Sequence, residues 1–312
     1  MEEFSKKSNL FTTRSLIRVA LLAVGYLLLS AILIGYKTEQ VYLVLLFVTA
    51  YFSSTISRKV ITGFSIFIVF WIIFDYMKAF PNYLYQTVHI ESLYRAEKNI
   101  FGIHLDGNMV TPNEYWLSHH NPFLDVLTGI FYLCWVPVPL AFAAYLFFKN
   151  RMAFLHFSLS FLLVNLIGFV IYYVYPAAPP WYVQQHGFDF LPFTPGNTGG
   201  LQRFDDFFNV HIFQGLYSKS SNVFAAMPSL HASYPLIVLY YGIKNKLGKI
   251  NFIFALIMIG IWFAAVYNSH HYVLDVLAGI TTGITGISLF RLLTLKSKPV
   301  QRFLQMFVRA IT

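Results

Sequence analysis

Of 312 residues, 57% are hydrophobic and only 11% are charged, and the mean hydropathy is +0.60. A soluble domain carries about a quarter charged residues, which excludes that class. The net charge of +9 requires no nucleic-acid partner, because basic loops facing anionic inner-leaflet lipid account for it.

Eight apolar runs approach the ~20 residues that cross a bilayer: roughly 16–36, 41–56, 60–79, 125–147, 152–175, 229–243, 250–268 and 272–291. They predict an all-α, polytopic membrane protein with about eight spans, the second and sixth being short. No small-residue cleavage site follows the first run, which is expected to stay as an anchor. With the N-terminus in the cytoplasm and every run crossing, sixteen of the 22 basic residues fall inside, among them Lys6, Lys7, Arg58, Lys59, Lys149, Arg151, Lys244, Lys246, Lys249 and Arg291. Of the 13 acids only Glu2 and Glu3 fall inside. This is the positive-inside asymmetry, and it predicts two cytoplasmic termini. The single cysteine, Cys134, lies inside a run, so neither an internal disulfide nor a thiolate metal site is available.

Two long outer segments remain, 80–124 and 176–228. The stretch "HIESLYRAEKNIFGI", with apolar Ile90, Leu93, Tyr94, Ile100 and Phe101, predicts an amphipathic helix on the outer surface. The second segment, rich in Pro, Gly and aromatics, predicts an ordered loop skimming the interface, with Trp181 and Tyr182 at headgroup depth.

Nine of the ten histidines fall outside or at outer helix ends, His156 being the exception. In "AAMPSLHASYP", Pro228 and Ser229 suit a helix start, with His231 in its first turn. In "NSHHYVLD", His271 and Asp275 are four apart, a spacing that puts both on one helix face. Both helix starts fall on the same outer surface, a placement that comes from the basic residues alone. A helix start offers free N–H groups to an anion. A carboxylate that holds Nδ1–H leaves Nε2 free as nucleophile, and a second imidazole can move a proton. Together these fit attack on a phosphorus ester. Two other readings stay open: interfacial polar caps without chemistry, and a metal site built from His231, His271 and Asp275.

"MPSLHAS" followed by "HHYVLDVLAG" resembles the second and third motifs of the type 2 phosphatidic acid phosphatase superfamily, P-S-G-H and S-R-x5-H-x3-D. Pro228, Ser229, Leu230 and His231 stand for the former; His271 and Asp275 for the latter, with Ala264 and Ala265 in place of Ser-Arg. Of the first motif, K-x6-R-P, only Pro176 is kept, with Tyr175 for Arg and Gly168 for Lys. "AAPPWY" at 177–182 together with the double histidine resembles the inositol phosphorylceramide synthase branch. The resemblance covers roughly residues 80–291.

It implies two N-terminal helices (1–59), a six-helix phosphotransferase core (60–295) and a basic tail (296–312). It implies transfer of a phosphoinositol-type headgroup from a glycerophospholipid to a ceramide-like alcohol, with His271 as nucleophile, Asp275 orienting it and His231 as acid and base. Neither metal nor cofactor is called for. The groups expected to hold substrate are Ser229, His270, Tyr175, Trp181, Tyr182, Arg203, Asp205, Asp206 and Lys219. His270, about 100° from His271 on a helix, is expected to touch substrate or Asp205 or Asp206. Gln202, Asn209 and His211 add polar groups for an inositol ring, whereas Trp181, Tyr182 and the two aspartates would equally suit a cationic headgroup. The runner-up is a lipid phosphatase with the same His/His/Asp set, and a non-catalytic lipid carrier is the third possibility.

Overall fold

Apolar runs with no alternation of period two become helices, and the run ends become their caps. The computed structural model describes residues 10–218 and 222–312. Helices α1 (Thr13–Ile34), α2 (Thr38–Ser53) and α3 (Thr55–Tyr76) come first. Thr12 and Ser54 cap α1 and α3 through their side-chain oxygens. Then follow α4 (Glu91–Phe101), a hairpin of β1 (Ile103–Leu105) with β2 (Asn108–Val110), α5 (Pro112–Ser118), α6 (Pro122–Leu133), α7 (Pro137–Lys149) and α8 (Arg151–Val174). The second outer segment folds into α9 (Pro180–His186), α10 (Gln202–Phe208) and α11 (Ile212–Tyr217). The chain closes with α12 (Leu230–Lys244), α13 (Ile250–Tyr267), α14 (Val273–Lys296) and α15 (Lys298–Ile311).

The all-α polytopic expectation matches this architecture. Among the described residues, six segments are long and apolar enough to cross a membrane: Thr13–Ile34, Thr55–Ala79, Pro122–Lys149, Arg151–Val174, Ile250–Tyr267 and Val273–Lys296. The two runs expected to be short are α2, of 16 residues, and α12, of 15. The 125–147 run is two helices end to end. Pro137 opens α7 and has no N–H to continue α6, so the chain breaks at 134–136.

Helix α8 is the hub. Phe154, Phe157, Phe161, Val164, Phe169 and Tyr172 are buried in one cluster with Phe142 and Phe147 of α7 and Tyr234 and Tyr241 of α12. Phe64, Phe67, Phe70 and Phe74 of α3 pack against it. Two pairs of buried polar groups meet in this core. Ser160 and Tyr241 share a 2.6 Å hydrogen bond, and Tyr234 donates to Asn165 at 2.5 Å.

Two expectations are refined by the structure, and one element is new. Residues 298–311 are no free tail: Leu304 and Ile311 are buried, and Val300, Phe307 and Val308 lie against the main core. The amphipathic segment does form α4, but it is docked into the protein, with Leu93 and Glu97 inward and Ile100 62% exposed. The hairpin was not anticipated, although Asp106-Gly107, with φ of 48° and 80°, is the two-residue loop that favours one.

Candidate active site

Helices α13 and α14 are joined by residues 268–272, and that turn carries the paired histidines. The amides of His270 and His271 both donate to the Ala265 carbonyl at 3.0 Å. Ser269 sits at φ 57°, a left-handed conformation unusual for a side-chain-bearing residue. It is fixed from outside: its carbonyl accepts from Trp181 N at 3.0 Å, and its hydroxyl accepts from Gln184 Nε2 at 3.0 Å. Asn113 of α5, fully buried, donates to the carbonyls of Val266 and His271 at 2.8 and 3.0 Å.

Helix α14 begins only at Val273, so the spacing argument applied to His271 in its stated form fails: His271 precedes the helix. The two side chains still approach, Nδ1 of His271 lying 3.7 Å from Oδ2 of Asp275. That is beyond hydrogen-bond length. Oδ2 instead accepts from the Tyr272 amide at 2.8 Å, while His271 Nδ1 and Asp275 Oδ1 are buried without partners.

On α12, Ser229 caps the helix through Ala232 N, and its own amide donates to the Asp275 carbonyl at 2.9 Å. This close crossing requires Gly279 on α14, because a Cβ there would lie 2.1 Å from the Ser229 carbonyl oxygen. The crossing sets His231 against the turn, with its Nδ1 3.1 Å from His271 Nε2 and 3.1 Å from the Tyr132 hydroxyl. Trp135, at the α6–α7 break, meets the His231 ring edge-on at 4.5 Å. His231, His271 and Asp275 are thus assembled by two helix starts at one end of the bundle.

Burial lowers the pKa of His271 to about 4 and that of His270 to about 3. A neutral His271 keeps a lone pair for attack at neutral pH. The α14 start is not an open anion site, however. Glu97, fully buried, accepts from Val273 N and Leu274 N at 2.9 and 3.1 Å, and burial lifts its pKa to about 7. Among the described residues no three His, Cys, Asp or Glu side chains are arranged to hold a metal ion.

The remaining expected substrate groups scatter. His270 does not meet Asp205 or Asp206; its Nε2 donates to the Thr198 carbonyl at 2.7 Å, and its ring stacks on Tyr217 at 4.4 Å. Asp205 is fully buried and accepts from the Phe213 and Gln214 amides at the start of α11, while Asp206 accepts from Gln202. Trp181 and Tyr182 are buried in a cluster with Ile90 and Phe224, and Tyr182 is hydrogen-bonded to residues 189 and 191. Asn209 ends α10 in a left-handed conformation, and His211 precedes α11. Tyr175 stacks flat on His89 at 3.8 Å. Arg203 is held by Asp125, Nε to Oδ1 at 2.6 Å, and its Nη2 is buried with no protein partner. Asp125 also accepts from Tyr267 at 2.8 Å and faces His120 at 3.1 Å. Lys219 lies outside the described residues. Where phosphatases of the superfamily carry cations, this chain is packed shut: Ala264 and Ala265 are fully buried, and a Cβ on Gly168 would meet Leu230 at 2.7 Å.

Sequence reasoning missed Tyr132, Asn113, Glu97 and Asp125. All four are polar groups buried close to the two histidines or to the turn that carries them. Each finds at least one partner far along the chain, so little beyond their polarity within apolar surroundings could have marked them.

A family model described as PAP2 superfamily matches residues 91–289, and the chain belongs to that superfamily. It is 43% identical over 288 residues to a phosphoinositol dihydroceramide synthase of Bacteroides thetaiotaomicron, covering 92% of this chain and 94% of that protein. It is 30% identical over 175 residues to an inositol phosphorylceramide synthase of Candida albicans, covering 53% of this chain and 37% of that one. It is 28% identical over 203 residues to the inositol phosphorylceramide synthase catalytic subunit AUR1 of Saccharomyces cerevisiae, covering 64% and 49%. The chain thus spans less than half the length of these fungal relatives. No solved structure matches it.

Proposed function

We propose that the chain transfers a phosphoinositol headgroup from a glycerophospholipid to the primary hydroxyl of a ceramide-type alcohol, at the extracytoplasmic face of the membrane. His271 Nε2 attacks phosphorus, and the bond from phosphorus to the glycerol oxygen breaks. His231 gives its proton to that oxygen, releasing diacylglycerol and leaving a phosphohistidine. The acceptor hydroxyl then attacks phosphorus, His231 takes its proton, and the P–N bond breaks to regenerate His271. Asp275 orients His271 and stabilises its cationic form, as the buried carboxylate does in serine protease triads. Arg203, anchored by Asp125, offers Nη2 to a phosphate oxygen. No step calls for a group beyond these side chains, since positioning and proton transfer supply the chemistry.

The observation that carries this reading is the His231–His271 contact at 3.1 Å with Asp275 behind it, in a chain that aligns nearly end to end with a named phosphoinositol dihydroceramide synthase. A phosphodiester carries one negative charge where a terminal phosphate carries nearly two. The packed-shut cation positions therefore favour a diester over the phosphatase alternative. Labelled phosphatidylinositol, given to the purified protein with and without dihydroceramide, tests this. A labelled phosphoinositol sphingolipid that forms only with acceptor is expected. Label released into water at the same rate with or without acceptor would establish the hydrolase instead.

A further inference from the structure

We infer that the end of the bundle remote from His231 and His271 holds a binding site for a net-anionic glycerophospholipid, seated between α8, α12 and α14. A cavity of about 470 Å³ opens there, lined by His156 of α8, Tyr240, Ile243 and Lys244 of α12, and Arg291 and Leu295 of α14. Its volume is in the range of small-molecule sites, ~300–1,000 Å³. Sixteen positions of α14 separate Asp275 from Arg291, about 24 Å at helical rise, so the occupant would lie in the opposite leaflet from the chemistry. The inference does not rest on the transferase reading.

Charge decides the head of the ligand. Lys244 and Arg291 converge on one cavity, and neither makes an ion pair among the described residues. Asp75, Glu91, Asp125 and Asp275 form ion pairs, none of them at this end. Other basic side chains of this end have backbone acceptors: Arg58 on Leu10, Lys59 on Thr312, Arg151 on Phe147. Lys244 has only the faces of Tyr240 and Tyr241, at 5.9 and 5.3 Å. Two like charges lining one space without a counter-ion call for an anion, and a guanidinium beside an ammonium suits a phosphate. The choline or ethanolamine of a zwitterionic lipid would bring a third cation to the same place.

Apolar surface decides the rest of the ligand. Ile243 and Leu295 flank the cavity with 60% and 66% of their surface exposed, giving an acyl chain a wall to lie along. Basic pockets between membrane helices on the cytoplasmic side bind anionic lipid heads on this principle.

Delipidated protein in detergent is titrated with phosphatidylglycerol, phosphatidylcholine or inorganic phosphate. Retained lipid is counted by native mass spectrometry, and Tm is followed in parallel. The variants are Lys244→Gln/Arg291→Gln, each single change in case the pair fails to fold, and Lys246→Gln/Lys249→Gln as a control with the same loss of charge. One phosphatidylglycerol is expected to be retained and to raise Tm in the parent and the control, with at least ten-fold weaker retention in the double variant and an intermediate loss in each single one. Equal retention in the cavity variants, or phosphatidylcholine binding as well as phosphatidylglycerol, would overturn the site. Inorganic phosphate that raises Tm as much as phosphatidylglycerol would make it a soluble-anion site and overturn the lipid assignment.

Discussion

His271 Nδ1 and Asp275 Oδ1 are each buried with no hydrogen-bond partner, and Nδ1 stands 3.7 Å from the other carboxylate oxygen, Oδ2. Leaving such groups unpaired costs ~1–3 kcal/mol each, and a movement of under about 1 Å brings Nδ1 to hydrogen-bond length of Oδ2. Catalytic contacts that are loose in an empty enzyme commonly tighten when substrate binds. Asp275→Asn should therefore retain the fold and lose activity by ~10²–10⁴-fold, since an amide neither stabilises imidazolium nor enforces the tautomer; the upper figure is that of the analogous change in a serine protease. Initial rates and Tm of the purified variant check this, and full activity would remove Asp275 from the mechanism. The depressed histidines also set a pH dependence. Between pH 6.5 and about 4 the unfolded chain binds protons at His270 and His271 that the folded chain refuses. Stability then rises with pH across that window and is lost as pH falls. Glu97, raised to about 7, acts the opposite way between its ordinary range and 7, so the histidine contribution is isolated by comparing a variant with the parent. In His270→Phe, which keeps a ring against Tyr217, the fall of Tm on acidification should be visibly shallower. An unchanged slope would mean that His270 is not what titrates.

At the level of elements, the site depends on how closely α12 crosses α14. A methyl group on Gly279 would meet the Ser229 carbonyl at 2.1 Å, a backbone atom that cannot swing aside, whereas one on Gly283 would meet the end of Leu236 at 3.1 Å. Gly279→Ala should lower Tm by several degrees and abolish transfer, because it lifts His231 away from His271. Gly283→Ala should do far less. Comparable Tm values and rates for the two variants would show that the crossing does not set the site. The helix starts themselves were legible: Pro228-Ser229 before one and Asp275 in the first turn of the other are local signals. What holds them was not. Tyr132 reaches His231 across 99 residues, and Glu97 reaches the α14 amides across 176 and 177. Such contacts are set by tertiary packing, which a local pattern does not carry. The spacing of His271 and Asp275 marked two side chains that do approach although His271 lies before the helix, because the capping geometry of Tyr272 and Asp275 folds the turn back over the first residues of α14.

At the scale of the whole molecule, hydropathy was enough to place the spans, because a bilayer imposes length and polarity on every crossing segment. The outer segments were read poorly. Their short helices are stabilised by burial against the bundle rather than by their own periodicity, as Trp181, Tyr182, Phe204 and Phe213 show. Eleven acids of the chain lie outside the N-terminal pair Glu2 and Glu3, and on the proposed topology the alternation of spans puts all of them on the side of His231 and His271. With both helix starts there, one end of the bundle carries the proposed chemistry and the other is basic. The central claim, a phosphoryl group carried by His271, is tested most directly by trapping it. Protein incubated with phosphatidylinositol labelled at phosphorus, without acceptor, is denatured and examined for bound label. A protein-bound, acid-labile and base-stable label is predicted, lost in His271→Ala, retained in His270→Phe and discharged to lipid when dihydroceramide is added before quenching. Label that persists in His271→Ala would contradict it.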